Sequence, residues 1–218
     1  MNLIAGPLGS LLNFLYGVVS NYGLAIILFT LIIKLVLLPL TIQQLKQTKQ
    51  MSEVQPKLKE LQEKYKNDKE KLNIKTMELY KEHKVNPVGG CLPLLIQLPI
   101  IFGLFAVLRE PTKYIADPRF AEAVNEGFFW IKNLSEPDLW ILPILAGITT
   151  YFSMNGPGAA PVQNQTMKTM NMIFPVMILW WGRSFPAGLT LYWVVSNVFQ
   201  MGQQYFMPKV KKSKEELS

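Results

Sequence analysis

Apolar residues in this chain fall into long blocks separated by strongly polar stretches. The longest block is YGLAIILFTLIIKLVLLPL, Tyr22 to Leu40, broken only by Lys34. A helix of ~20 apolar residues crosses the ~30 Å of a bilayer core, so residues 22–43 read as a first membrane span. Blocks at 87–108, 139–154, 166–181 and 186–206 read as four more, the third and fourth being short. Helices satisfy their own backbone hydrogen bonds in lipid, and no alternating ten-residue pattern suggests a transmembrane barrel. The pattern predicts an all-α integral membrane protein with five transmembrane helices.

Between the spans the pattern changes. In residues 1–21, Leu8, Leu11, Leu12, Leu15 and Val18 or Val19 recur at helical spacing, with Pro7 near the expected helix start. That segment is too short to span and reads as an extracytoplasmic interfacial helix. Residues 44–86 hold eleven lysines against seven acids. There Met51, Val54, Leu58, Leu61 and Tyr65 form one helical seam, and Leu72, Met77, Leu79 and Tyr80 lie on a second helix, Lys69 to His83. Lys66, Asn67 and Asp68 supply the turn, and Asp68 caps the second helix. The expectation is a charged cytoplasmic hairpin with Lys64, Lys66, Asn67, Asp68 and Lys69 at its tip. Pro56 is expected to interrupt any helix continuing from the first span, so that the first arm begins near it. Asp117 and Pro118 are placed to start a short amphipathic helix in the loop 109–138, and Trp130 and Trp140 suit an interface. The remaining connections are a turn-rich loop at 155–165, a tight turn at 182–185 and a basic tail at 207–218.

Charge orients this layout. The net charge is +7 and the mean hydropathy +0.18, and the hairpin, the 155–168 region and the tail carry sixteen basic residues against five on the other side. Short basic segments stay inside, which puts the N-terminus outside and the C-terminus in the cytoplasm. The basic residues flank spans and come with no nucleic-acid motif, so DNA is not an expected partner. Cys91 is the sole cysteine, which rules out an intrachain disulfide; the VGGC before it is read as a chance likeness to a lipoprotein site. The first basic residue is Lys34, so no secretory leader is expected.

Polar groups inside the spans are the candidate functional residues. Lys34 shares a helical face with Thr30 and Thr41. In the fifth span Thr190, Trp193, Asn197, Gln200 and Gln204 are spaced by three or four residues on one face, and Gln97 adds an amide to the second span. Such residues face a bundle interior or a wet cavity; the plainer readings are a snorkelling lysine and helix-to-helix hydrogen bonds. No predicted span carries Asp or Glu, which argues against a proton-relay pump. With one histidine, His83, and no HExxH or GxSxG motif, no enzyme, metal or cofactor is expected.

The stretches NYGLAIILFTLIIKLVLLPLT, QPKLKELQEKYKNDKEKL, LYKEHKVNPVGGCLPLLIQLPIIFGLF and FPAGLTLYWVVSNVFQMGQQY resemble the YidC-type membrane protein insertases, in the short form without a large extracytoplasmic domain. The resemblance spans Asn21 to Tyr205, and NPxGGCLPxxIQxP with PAGLxLYW and a trailing QQ is highly specific. It implies a hydrophilic groove open to cytoplasm and lipid, and an attractive role for the first-span cation toward acidic segments of clients. That cation is Lys34, where much of the family has arginine; the charge is kept but the forked geometry is lost, which favours a general electrostatic role. The implied partners are nascent membrane proteins, the lipid bilayer and the Sec translocon, with the basic tail a candidate ribosome contact. A small transporter or channel is the rival class, and a purely structural partner of the translocon a third.

Overall fold

The computed structural model describes residues 2–83, 85, 92–115, 117–156, 159 and 165–215, without side chains at 2, 3, 45, 48, 49, 92–96, 111, 112, 118, 165–167 and 207–215. Cys91 with the start of the predicted second span, most of the 155–165 loop and the last three residues of the tail lie outside the described residues. Among those described the chain is all-α: α1 (Asn2–Val19), α2 (Tyr22–Val36), α3 (Leu38–Lys64), α4 (Lys69–Glu82), α5 (Leu92–Arg109), α6 (Pro111–Tyr114), α7 (Pro118–Ala123), α8 (Ile141–Asn155), α9 (Gln165–Gly182) and α10 (Ala187–Glu215).

The first predicted span is not one straight rod. α2 ends at Val36, and Leu37 joins it to α3 with a bend of 58°. Pro39 explains the break, because it has no N–H for the carbonyl four residues back and its ring crowds that turn. Among the described residues no single helix is long and apolar enough to cross a membrane; α2 with Leu38–Gln44 reaches that length only as this bent pair.

Two other prolines behave differently from the sequence expectation. α1 begins at Asn2, so Pro7 lies inside it rather than at its start. α3 runs through Pro56 without interruption, so the first hairpin arm begins at the bend and not at that proline. An interior proline costs about 3 kcal/mol. Pro56 is exposed, while Met51, Val54 and Leu58 on the opposite side are buried against Leu79 and Val85, a gain of about 1.5–3 kcal/mol for each large side chain. Burial therefore carries the helix through. The second arm differs in one residue: Met77 is exposed, and Leu79 is the side chain that α4 buries. The fifth predicted span also extends further than expected, because α10 remains helical to Glu215, well into the basic tail.

The main core lies where α1 packs on α2 and α5, and α10 packs on α2 and α5. Tyr22, Phe29, Leu12, Ile26, Leu104, Phe120 and Tyr192 are fully buried in it. α8 packs on α10, and α9 packs on α8. Small residues set the spacing, as expected where apolar burial alone cannot drive helix association. A Cβ on Gly188 would lie 3.0 Å from Ile26 Cδ1, and one on Gly147 3.2 Å from the Pro175 carbonyl oxygen. Gly23 leaves no room at all, since the Phe128 ring occupies the place of its missing Cβ.

One carboxylate closes the end of this core. Glu126 accepts from the Tyr16 hydroxyl at 2.5 Å and from the Tyr22 N–H at 2.9 Å, while Asn21 Oδ1 accepts from the Leu24 N–H at 2.9 Å. The first turn of α2 is thus capped from a loop a hundred residues away, and the bond to Glu126 raises the Tyr16 hydroxyl above its ordinary pKa. Tyr16, Tyr22 and Phe120 meet edge to face with centroids 5.4–6.5 Å apart. Asp117 caps α7 as expected, accepting from the Arg119 N–H at 3.0 Å. Asp138 caps α8, accepting from the N–H groups of Trp140, Ile141 and Leu142 at 2.9–3.2 Å and from Trp130 Nε1 at 2.9 Å. Burial pushes its carboxyl up, but these bonds outweigh it and hold the group below the ordinary carboxylate range.

Two outcomes are expected. Gly23→Ala must displace Phe128 and lose about 1–3 kcal/mol, read as a lowered unfolding temperature in detergent beside the harmless control Gly6→Ala, whose Cβ meets nothing within 4 Å. Because Asp138 has a folded pKa below its unfolded one, its stabilisation is complete above the ordinary carboxylate pKa and is lost as pH falls through the folded value. Asp138→Asn should therefore flatten the acid limb of the stability profile; identical acid limbs would exclude the cap.

Candidate functional site

Lys34 lies in the last turn of α2, three residues before Leu37. The bend thus changes the setting of this charge, from mid-helix to helix end. The unpaired carbonyls of a helix C-terminus favour a cation by about 0.3–1 kcal/mol. Lys34 is half-buried, and among the described residues its ammonium has no hydrogen-bond or ion-pair partner. The residues expected beside it are otherwise engaged. Thr30 is fully buried and donates to the Ile26 carbonyl at 2.7 Å; Thr41, beyond the break, donates to the Leu37 carbonyl at 3.0 Å. Both hydroxyls satisfy their own helix backbone.

The α10 residues are drawn together by α8 rather than around Lys34. Trp193 Nε1 donates to Thr150 Oγ1 at 3.0 Å, and the Asn197 amide lies 2.9 Å from the same oxygen and 3.3 Å from Thr149 Oγ1. With its carbonyl oxygen turned toward them, Asn197 accepts from the Thr150 hydroxyl and N–H and from Trp193 Nε1. That orientation gives each of these donors an acceptor. Gln204 continues the seam, its Nε2 donating to the Ser153 carbonyl at 3.2 Å. Thr190 is buried and bonds weakly, at 3.4 Å, to the carbonyl of Pro186, the residue just before its own helix. Gln200 is half-buried and forms no hydrogen bond among the described residues.

Gln97 belongs to a separate junction. Its Nε2 donates to the Tyr192 hydroxyl, which Ser196 also meets, one turn along α10. Tyr192 packs on Phe29 of α2 with ring centroids 6.3 Å apart. Sequence reasoning does not select Tyr192, Ser196, Thr149, Thr150 or Ser153. A signal for the last three is present: they place three small hydroxyls within two turns of an otherwise apolar block.

At the hairpin tip, residues 65–67 form the turn, and Asp68 caps α4 by accepting from the Lys71 N–H at 3.0 Å. Lys66, Asn67 and Lys69 are exposed, and the Lys64 ammonium lies 5.7 Å from the Tyr65 ring centre. His83 ties the two arms at their base. Lys57 can only donate, so its 2.9 Å contact makes His83 Nε2 the acceptor and leaves the proton on Nδ1, which donates to the Leu79 carbonyl at 3.0 Å.

The chain as a whole is similar to proteins already known. Residues 14–215 match the model of the family described as 60Kd inner membrane protein. A membrane protein insertase YidC of Fusobacterium nucleatum is 44% identical over 209 residues, covering 95% of this chain and 96% of that one. Another, from Caldanaerobacter subterraneus subsp. tengcongensis, is 44% identical over 218 residues, 99% of this chain and all of the relative. A crystal structure described as active YidC insertase with the first transmembrane domain resolved superposes with a TM-score of 0.72 at 30% identity, over 94% of this chain and 46% of the longer one. The chain belongs to this inner membrane protein family, that of the YidC-type insertases.

The seam predicts energetic coupling. In a cycle of Thr150→Val and Asn197→Ala, the double variant should lose about 0.5–1.5 kcal/mol less than the sum of the singles, read by unfolding in detergent. Strict additivity would mean that these side chains do not bond.

Proposed function

We propose that this chain is a membrane protein insertase that takes hydrophobic segments of newly made proteins from the cytoplasm and releases them into the lipid bilayer. The observation that carries this reading is the similarity, at 44% identity along nearly the whole of both chains, to relatives named membrane protein insertase YidC. The orientation follows from charge, with five spans, the N-terminus outside and the hairpin and tail in the cytoplasm.

The physical problem in insertion is the polar flank of a client, since each unsatisfied polar group costs several kcal/mol in hydrocarbon. Lys34 lowers that cost. Its half-buried, unpaired ammonium attracts an acidic flank and keeps water at the end of α2, giving a hydrophilic groove that reaches part of the way across. The hairpin tip, from Lys64 to Lys69, receives the client. The α10 face bearing Thr190, Trp193 and Asn197 forms a wall braced by α8, and the uncommitted amides of that wall, Gln200 foremost, meet polar groups of the passing segment. Partition of the client's apolar span, at ~25 cal/mol per Å² removed from water, drives the last step without catalytic chemistry or a bound cofactor. The chain works alone or beside the Sec translocon, with the basic tail as a candidate ribosome contact.

The test uses the purified chain in proteoliposomes and a small client with an acidic translocated tail. Lys34→Ala should reduce the inserted fraction several-fold and Lys34→Arg should preserve it. Equal insertion by all three would remove the charge from the mechanism. Ion or solute flux without insertion would place the chain among transporters.

A further inference from the structure

The end of the molecule where α9 stops, α10 begins and α8 is capped holds a second unpaired cation, one that insertion as proposed does not use. Arg183 follows α9 directly, and Gly182 packs closely on Pro143 of α8, which brings the two helix ends together. The Arg183 guanidinium lies 4.3 Å from the ring centre of Trp140 and 5.9 Å from that of Trp180. Its Nε is buried and has no hydrogen-bond partner, and among the described residues no carboxylate lies within 4 Å of the group. The aromatic faces hold the guanidinium plane, and attraction to the rings stabilises a cation there. They cannot accept the five N–H bonds it offers.

We propose that Arg183, held between Trp140 and Trp180, is a binding site for the phosphodiester headgroup of a phospholipid. A tetrahedral anion with two acceptor oxygens suits the fork of an arginine. Trp140 and Trp180 are 61% and 69% exposed, so the pair of rings around the guanidinium opens outward and not into the core. The surroundings fit a lipid better than a free anion. Ile141 and Ile144 on α8 and Val176 on α9 are exposed, providing apolar surface for acyl chains beside the charged pocket. Tryptophan and arginine together at the level of the headgroups are the expected composition of a bilayer interface. The proposal requires lipid around the chain, which the family supplies. It does not depend on which end faces the cytoplasm, nor on the role given to Lys34.

The experiment is native mass spectrometry of the full chain, freed of lipid by detergent exchange and titrated with phosphatidylglycerol. One tightly retained lipid is expected. Arg183→Gln should weaken its retention about tenfold, the loss of a charge-assisted bidentate contact, and Arg183→Lys should weaken it less. Arg109→Gln, which removes an exposed arginine elsewhere, should change nothing. Diacylglycerol of the same chain length should not be retained, and millimolar inorganic phosphate should not displace the lipid. Retention unaltered in Arg183→Gln, or lowered equally in Arg109→Gln, would overturn the proposal. Displacement by inorganic phosphate would make it a free-anion site, and equal retention of diacylglycerol an acyl-chain site, either of which also overturns it. Should Arg183→Gln fail to fold, Arg183→Lys and Trp180→Leu decide the matter, since both keep the local packing and both should weaken retention.

Discussion

An ammonium group among apolar side chains needs an anion, a set of dipoles or water. For Lys34 the described residues supply no anion, so the arrangement of α2 becomes the decisive feature. Pro39 stops that helix soon after the lysine, which leaves the charge in the last turn, where the helix dipole favours a cation. The break also makes α2 only 15 residues long, or ~22 Å against the ~30 Å of a bilayer core. A proline five positions away therefore does more for this cation than any side chain beside it.

The helices around that lysine are held by two kinds of contact. α1, α2, α5 and the first turns of α10 share a dry core, spaced by glycines and closed at one end by Glu126. α8 is joined to α10 largely by hydroxyls and amides, in a ladder from Trp193 through Asn197 to Gln204. Between helices in lipid, apolar contact gains little over lipid itself, so close approach and hydrogen bonds decide which helices stay together. Gln97 and Tyr192 add one polar bond to the first region, where α5, α10 and α2 converge.

Much of this architecture is legible in the residues themselves. The all-α class, the hairpin with its Asp68 cap, the start of α7 at Asp117 and the polar repeat on α10 all come from spacing and capping rules that act over a few residues. The bend at Leu37 is also local, but Pro39 sits in an apolar run whose length masks its effect as a stop. Pro56 misleads in the opposite direction, because its neighbours are buried against α4, and sequence alone does not show that this burial exceeds the proline's cost. The partners of the candidate site are least legible. Thr30, Trp193 and Asn197 stand out as polar residues in apolar helices, but whether a hydroxyl turns to its own backbone or an amide to a neighbouring helix depends on packing between segments some fifty residues apart.

The hairpin has its own small core, built from Met51, Val54, Leu58, Leu79 and Val85 and separate from that of the bundle. It is therefore a stiff body attached at the bend. α3 has 27 residues, a lever of ~40 Å from Leu37 to the tip. A rotation of only about 10° at the joint would carry Asn67 through ~7 Å, more than a full turn of helix. The same residue that ends α2 beside its lysine thus sets the reach of the lysine-rich tip, and small changes in backbone angle at Leu37 are amplified into large displacements of that tip.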